Sequence, residues 1–302
     1  MQIHIRSTAI HELGKRSNQE DSLYPPAGSR DQESPFFLVC DGMGGHEHGE
    51  IASQMVVKAF ATSLNAHWDG EMFTDEIFQN ALNEAFNSLD TINDNTRHRP
   101  GTTLTFLCFH RGGAYAAHLG DSRIYHIRPS KKEILYKSRD HSQVYDLFVS
   151  GELTLDEMKD YPHKNIITRA LMPHLERRPK AGIAHMADIE EGDYFYLCSD
   201  GMLEKMDDDE LVDILAQPCS DQEKKEMLLE ATKENKDNHS AYLLNVLEVI
   251  YDEGDDLLPN DELTTRSNAL IYERFYRQTR KETGRIRGQW AEFLSHFSKK
   301  QS

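Results

Sequence analysis

Apolar residues along this 302-residue chain change their spacing several times, and each change predicts an element. Residues 3–14, IHIRSTAIHELG, alternate as an early strand does. PFFLVC at 35–40 is instead a short unbroken apolar run that stops at Asp41-Gly42. A strand covered on both faces reads this way, and its end delivers a carboxylate. Residues 41–49 form a glycine-rich loop. Beyond it Ile51, Met55, Val56, Ala59, Phe60 and Leu64 recur at helical spacing. From about Thr74 a second helical stripe follows through Ile77, Ala81, Leu82, Ala85, Phe86, Leu89 and Ile92. Both stripes are read as core faces.

After Pro100 the pattern returns to strand. Residues 102–110 and 114–128 are rich in Thr, Phe, Tyr and Ile, and Arg111-Gly112-Gly113 supplies the hairpin turn between them. The stretch 141–179 is polar and irregular, turning helical near Ser142 and carrying a capping box at Thr154 and Glu157, which suits a surface flap. DYFYLCS at 193–199 repeats the first pattern, a buried strand ending at Asp200-Gly201. Ser220 and Glu223 form another capping box, ahead of a helix through Met227, Leu228 and Ala231 that ends near Asp237-Asn238. Residues 241–250 read as a closing strand.

Composition narrows the classes. With 38% hydrophobic and 28% charged residues, the chain can bury a real core. Its 34 basic and 51 acidic residues give −17, a field that repels polyanions and disfavours a nucleic-acid role. No run of about eighteen apolar residues occurs, and MQIHIRSTAIHELGK lacks a signal stretch, so a cytoplasmic protein without a transmembrane segment is expected. Cys40, Cys108, Cys198 and Cys219 form no C-x-x-C pair, and the first three lie in strand-like runs, as buried inert thiols do. The charge is uneven: from Leu263 onward nine basic and three acidic residues give +6, leaving −23 for the first 262. DEGDDLLPNDE from Asp252 lies between the two regions. A body at 1–251 and an acidic linker with a basic helical extension at 252–302 are therefore expected. Ile286, Trp290, Phe293, Leu294 and Phe297 give that extension an apolar stripe, suited to packing on the body or docking on a partner or an acidic membrane surface.

The informative acids stand at strand ends or beside glycine: Glu20, Asp21, Asp41, Asp121, Asp200 and Asp237. Converging carboxylates repel one another unless a divalent cation neutralises them, and oxygen-only donors suit Mg²⁺ or Mn²⁺ rather than Zn²⁺. Spacing alone does not bring them together. Taken singly, each also fits a turn or a solvated face.

The ordered set, however, is specific. Arg16 to Asp21, VCDGMGGHEHGEIAS from Val39, GTTLT from Gly101, HLGDSRIY from His118, DHS at Asp140, LCSDGM from Leu197 and Asp237-Asn238 together resemble the metal-dependent protein phosphatase family (PPM or type 2C) over roughly residues 3–250, nearest its bacterial members. The resemblance implies an α+β fold, a four-layer α-β-β-α sandwich with two central antiparallel β-sheets. It implies hydrolysis of phosphoserine and phosphothreonine in proteins by a water or hydroxide held between two Mn²⁺ or Mg²⁺ ions, opposite a serine/threonine kinase system. By the same resemblance Asp41 bridges both metals, Asp200 and Asp237 complete the first site, and Glu20 with the Gly42 carbonyl completes the second. Asp21 holds a metal-bound water, Asp121 with Asp200 takes a third, weaker metal, and Arg16 grips the substrate phosphate.

Departures from the family are equally readable. Met43 stands where many eukaryotic members carry a histidine assigned as the leaving-group acid, which leaves that role to a metal-bound water, His46 or His48. In PHKNIITRAL from Pro162 the family's histidine–proline order is reversed, and Met172 replaces a glycine, so the flap geometry is not inherited. Arg266-Ser267-Asn268 imitates the final Asp-Asn, but serine is a poor anionic ligand and Asp237 is preferred. Two rival functions stay open: a silent phosphoprotein-binding scaffold relative, and a phosphatase of a small phosphorylated metabolite.

Overall fold

The computed structural model describes residues 1–29, 34–44, 48–93, 99–154, 157–158, 161–162 and 166–251. The expected linker and tail at 252–302, the alternative Arg266 register, and the side chains of His46 and His48 lie outside the described residues. Among the described residues no helix is long and apolar enough to cross a membrane.

Two five-stranded antiparallel sheets form the centre. The first contains β1 (Gln2–Glu12), β8 (Arg123–Arg128), β9 (Glu133–Lys137), β11 (Tyr194–Cys198) and β12 (His239–Ile250), in the order β1-β12-β11-β8-β9. The second contains β2 (Ser22–Tyr24), β3 (Phe36–Cys40), β6 (Leu104–His110), β7 (Gly113–Leu119) and β10 (Gly182–Met186), in the order β10-β7-β6-β3-β2. A small ladder pairs β4 (Gly42–Met43) with β5 (Gly101–Thr102).

The unbroken apolar runs are explained by what covers them. In β3, Phe36, Leu38 and Cys40 face Val56 and Phe60 of α1 (His48–His67) and Phe78 and Leu82 of α2 (Asp75–Leu89). The alternate residues Phe37 and Val39 face Phe195, Leu197, Tyr242 and Leu244 of the opposite sheet. Strand β11 repeats the logic: Phe195 and Leu197 point inward, while Tyr194, Tyr196 and Cys198 pack on Leu211 and Leu215 of α4 (Asp208–Leu215) and Leu228 of α5 (Asp221–Thr232). The result is helices, sheet, sheet, helices. Fully covering each such Phe or Leu contributes about 1.5–3 kcal/mol, in the sheet-to-sheet seam and in the helix-to-sheet layers alike.

Three sequence expectations change. The run 114–128 is two strands in different sheets, because Gly120 adopts φ +102 and the chain crosses over at Gly120-Asp121-Ser122. Helix α5 ends at Thr232, before the Asp237-Asn238 corner. Strands β9 and β10 and helix α4 were not read from the pattern. The flap contains α3 (Gln143–Val149), capped by Ser142, and is tied back through bridges Ser142–Ile167 and Thr102–Leu171. Both capping boxes form: Ser220 with Glu223, and Thr154 with Glu157. Cys40, Cys108 and Cys198 are buried, Cys219 is half-buried, and all four are free.

Candidate active site

The registers bring several chain ends to one edge of the sandwich. Ser22 pairs with Cys40, Leu104 with Leu119, Cys198 with Ala241, and Glu12 with His239. Asp21, Asp41, Asp121, Asp200 and Asp237 are therefore delivered from both sheets to the same place.

Their proximity is visible in their acidity. Burial, then the charges of Asp200 and Asp237, pushes Asp21 up to about 7, against hydroxyl hydrogen bonds from Ser240 and Ser199. Asp41 is held well above the carboxylate range by burial, followed by the charges of Asp21, Asp200 and Asp121. Asp121 rises to about 8 through burial and then the charges of Asp200 and Asp140. Asp200 also rises, chiefly by burial, and shares a carboxyl–carboxyl hydrogen bond with Asp41. Asp21 Oδ1, Asp121 Oδ1 and Asp200 Oδ1 are buried without a hydrogen-bond partner. Buried polar atoms are rarely left so, and three in one place form a set of oxygen donors that suits a hard cation. Among the described residues, no group of three or more acidic, histidine or cysteine side chains is placed to hold a metal ion as it stands.

Backbone clamps fix the position of Asp41. The Asp41 amide donates to Thr103 Oγ1 (2.9 Å), while its carbonyl accepts from the Thr103 amide (2.9 Å) and Thr102 Oγ1 (2.9 Å). Thr103 Oγ1 also meets Ser122 Oγ at 2.7 Å, tying Asp41 to the turn that carries Asp121. At Gly42 a Cβ would stand 2.5 Å from the Glu20 carbonyl oxygen and 2.2 Å from that of Gly49, so only glycine lets these segments close. Ser199 Oγ donates to Asp21 Oδ2 at 2.8 Å.

Two expected residues occupy different positions from the rest. Glu20 lies on the rim: its amide donates to Asn238 Oδ1 and its carbonyl accepts from the Gly42 amide, while its carboxylate reinforces the charge of Arg16. Arg16 Nη2 reaches Asp237 Oδ2 at 2.7 Å, and this bond is the main cause of its raised pKa. The other Asp237 oxygen accepts from the Asn238 amide at 2.8 Å. Met43 pairs with Gly101, and a Cβ on that glycine would stand 2.9 Å from Met172 Cγ and 3.3 Å from Met43 Cγ. The two departures from the family are thus neighbours, both packed on Gly101.

Sequence reasoning gave no role to Asp140, which acts on Asp121 and Asp200 and is itself held by a bidentate Arg123 at 2.6 and 2.7 Å. Thr103, Ser122, Ser199 and Ser240 were also missed. Thr103, Ser122 and Ser199 lie inside the motifs that carry the resemblance, but nothing in those motifs assigned them a role. A cavity of about 700 Å³ lined by Met1, Phe109, His110 and Leu247 opens at the opposite end of the sheets, away from these groups.

A two-sheet sandwich flanked by helices, with acids from both sheets converging at one edge, is the architecture of a known class of phosphatases. The chain belongs to the protein phosphatase 2C family, whose model matches residues 11–234. It is 34% identical over 223 residues to the protein phosphatase PhpP of Streptococcus pneumoniae, covering 71% of this chain and 85% of that protein. The crystal structure of the Mycobacterium tuberculosis serine/threonine phosphatase PstP/Ppp superposes with TM-score 0.64 at 28% identity, covering 81% of this chain and 99% of the other. A structure of the PstP catalytic domain in complex with two manganese ions is similar at TM-score 0.65 and 28% identity, covering 81% and 99%. The matched segment stops short of Asp237.

Proposed function

We propose that the acidic edge is the catalytic centre of a protein serine/threonine phosphatase that works with Mn²⁺ or Mg²⁺. The observation that carries this reading is the set of buried, partnerless oxygens on Asp21, Asp121 and Asp200, beside acids whose ionisation they suppress. Such a set opposes folding by itself and stabilises a hard cation. Asp41, Asp200 and Asp237 would hold one ion, Asp41 with Glu20 and the Gly42 carbonyl a second, and Asp121 with Asp200 a third, weaker one. When bound, the ions would supply acidified water as nucleophile and offset the charge of a phosphate dianion.

The chain's own groups do the rest. Arg16 stands at the rim, 54% exposed, where its guanidinium can chelate two phosphate oxygens and orient phosphorus for in-line attack. Ser199 and Ser240 hold Asp21, and Thr102 and Thr103 fix the backbone of Asp41, so neither acid must reorganise during reaction. Met43 brings no proton to the leaving oxygen, so protonation would fall to a metal-bound water, His46 or His48. Substrates are phosphoserine and phosphothreonine proteins, by analogy with the relatives' names, set against an opposing kinase in the cytoplasm. The body at 1–251 carries all these groups, with 252–302 as an accessory extension.

Turnover of a phosphoserine peptide and of a sugar phosphate, each with Mn²⁺ and with chelator, tests the reading. Chelator-sensitive cleavage of the peptide is expected. Cleavage of the sugar phosphate alone would favour a metabolite phosphatase, and peptide binding without any turnover a silent scaffold.

A further inference from the structure

Asn238 is 4% exposed and sits at the crossing of three segments that carry the site. Its Nδ2 donates to the carbonyls of Leu13 and Asn18, each at 2.9 Å, and its Oδ1 accepts the Glu20 amide at 2.8 Å. The amide orientation follows from these partners, since two carbonyls need a donor and one N–H needs an acceptor. The backbone amide of Asn238 donates to Asp237 Oδ1. The crossing is too tight for other side chains: a Cβ at Gly14 would stand 2.1 Å from the Asp237 carbonyl oxygen, and one at Gly201 would stand 2.0 Å from that of Asn238. The two carbonyls bound by Nδ2 flank Arg16, and the amide bound by Oδ1 belongs to Glu20.

We infer that Asn238 is a positioning residue that sets Arg16 and Glu20 through one side chain, so that phosphate capture and metal binding depend on it together. The inference rests on the proposed roles of Arg16, Glu20 and Asp237. It separates from a purely structural role because the predicted losses fall on two ligands rather than on folding alone. Loss of a group that orients metal ligands typically weakens metal affinity about 10–100-fold.

The test uses the full chain. Mn²⁺ binding is measured by calorimetry without substrate, and KM and kcat with p-nitrophenyl phosphate, for wild type, Asn238→Ala, Asn235→Ala and Asp237→Asn. Asn235 is a similarly buried amide whose Nδ2 donates to the Gly201 carbonyl and whose side chain makes no hydrogen bond to the 13–20 segment, so it controls for loss of a buried amide. Asn238→Ala should weaken Mn²⁺ about tenfold or more and raise KM by a similar factor, both beyond the effect of Asn235→Ala. Wild-type Mn²⁺ affinity and KM in Asn238→Ala, with only a lower melting temperature, would overturn the inference. Unaltered Mn²⁺ binding in Asp237→Asn would instead overturn the site reading beneath it. Should Asn238→Ala not fold, hydrogen exchange in the wild-type chain decides: the Glu20 amide should exchange far more slowly than that of exposed Ser17, and equal rates would sink the proposal.

Discussion

Three acids of the cluster are held by neighbours that carry no charge of their own. Ser199 and Ser240 bind Asp21, the Thr102-Thr103 pair binds the backbone of Asp41, and Asn238 binds the amide of Glu20. These polar partners keep mutually repelling groups at fixed positions, and such preorganisation is what a site for transferring phosphate requires. Arg16 is the cationic exception, half exposed beside Asp237. Replacing it with alanine should mainly raise KM for p-nitrophenyl phosphate, with a smaller fall in kcat, because it removes the proposed contact to phosphate and leaves the buried acids in place. Steady-state kinetics checks this, and unchanged constants would remove Arg16 from the site. Asp41, Asp121 and Asp200 were legible in the sequence because each ends a strand-like run beside a glycine, whereas Glu20, Asp21 and Asp237 were legible only through the family resemblance of their motifs. Asp140 was singled out only as part of the DHS motif, without a role, because its influence passes through Asp121 and Asp200 from a loop whose polarity looks like ordinary surface.

At the scale of elements, the two apolar runs ending in Asp-Gly were readable as strands because both faces of β3 and β11 are covered, which leaves no polar alternation. The crossover at Gly120-Asp121-Ser122 was hidden because the residues around it are as strand-like as those within β7 and β8; only the backbone turn at Gly120 separates them. Helix α4 was obscured by its acidic first turn, although Asp207 caps it through the Glu210 amide. The short ladder of β4 and β5 offered no periodicity at all, yet Asp41 directly precedes it. Thr103 joins that ladder to the crossover, so its hydroxyl matters more than its size. Thr103→Val should destabilise the fold by about 1–3 kcal/mol, by leaving the buried Asp41 amide unsatisfied, and should weaken Mn²⁺ binding. Thr103→Ser should recover most of both. Urea denaturation of the two variants checks the point, and equal behaviour would mean that packing, not the hydrogen bond, decides it.

For the molecule as a whole, the acidic edge opposes folding in the absence of cations. In the folded chain Asp21 and Asp121 titrate at about 7 and about 8, against an ordinary value of 3.8, and Asp41 and Asp200 are raised as well. The folded chain therefore binds more protons than the unfolded chain between those limits, so stability is greatest near the lower one and falls as pH rises through the folded values. With chelator present, the urea midpoint should drop from about pH 5 to about pH 8, and Mn²⁺ should restore it most at the higher pH. A midpoint that rises over this range would contradict the burial of these acids. The central claim is that acids from both sheets form one cation site with Asp41 shared. Its most direct test is calorimetric titration of Mn²⁺ into the wild-type chain and Asp41→Asn. The account predicts saturable uptake of a pair of ions by wild type, and loss or severe weakening of both in the variant. Uptake that is unaltered by Asp41→Asn, or no saturable uptake by the wild-type chain, would contradict it.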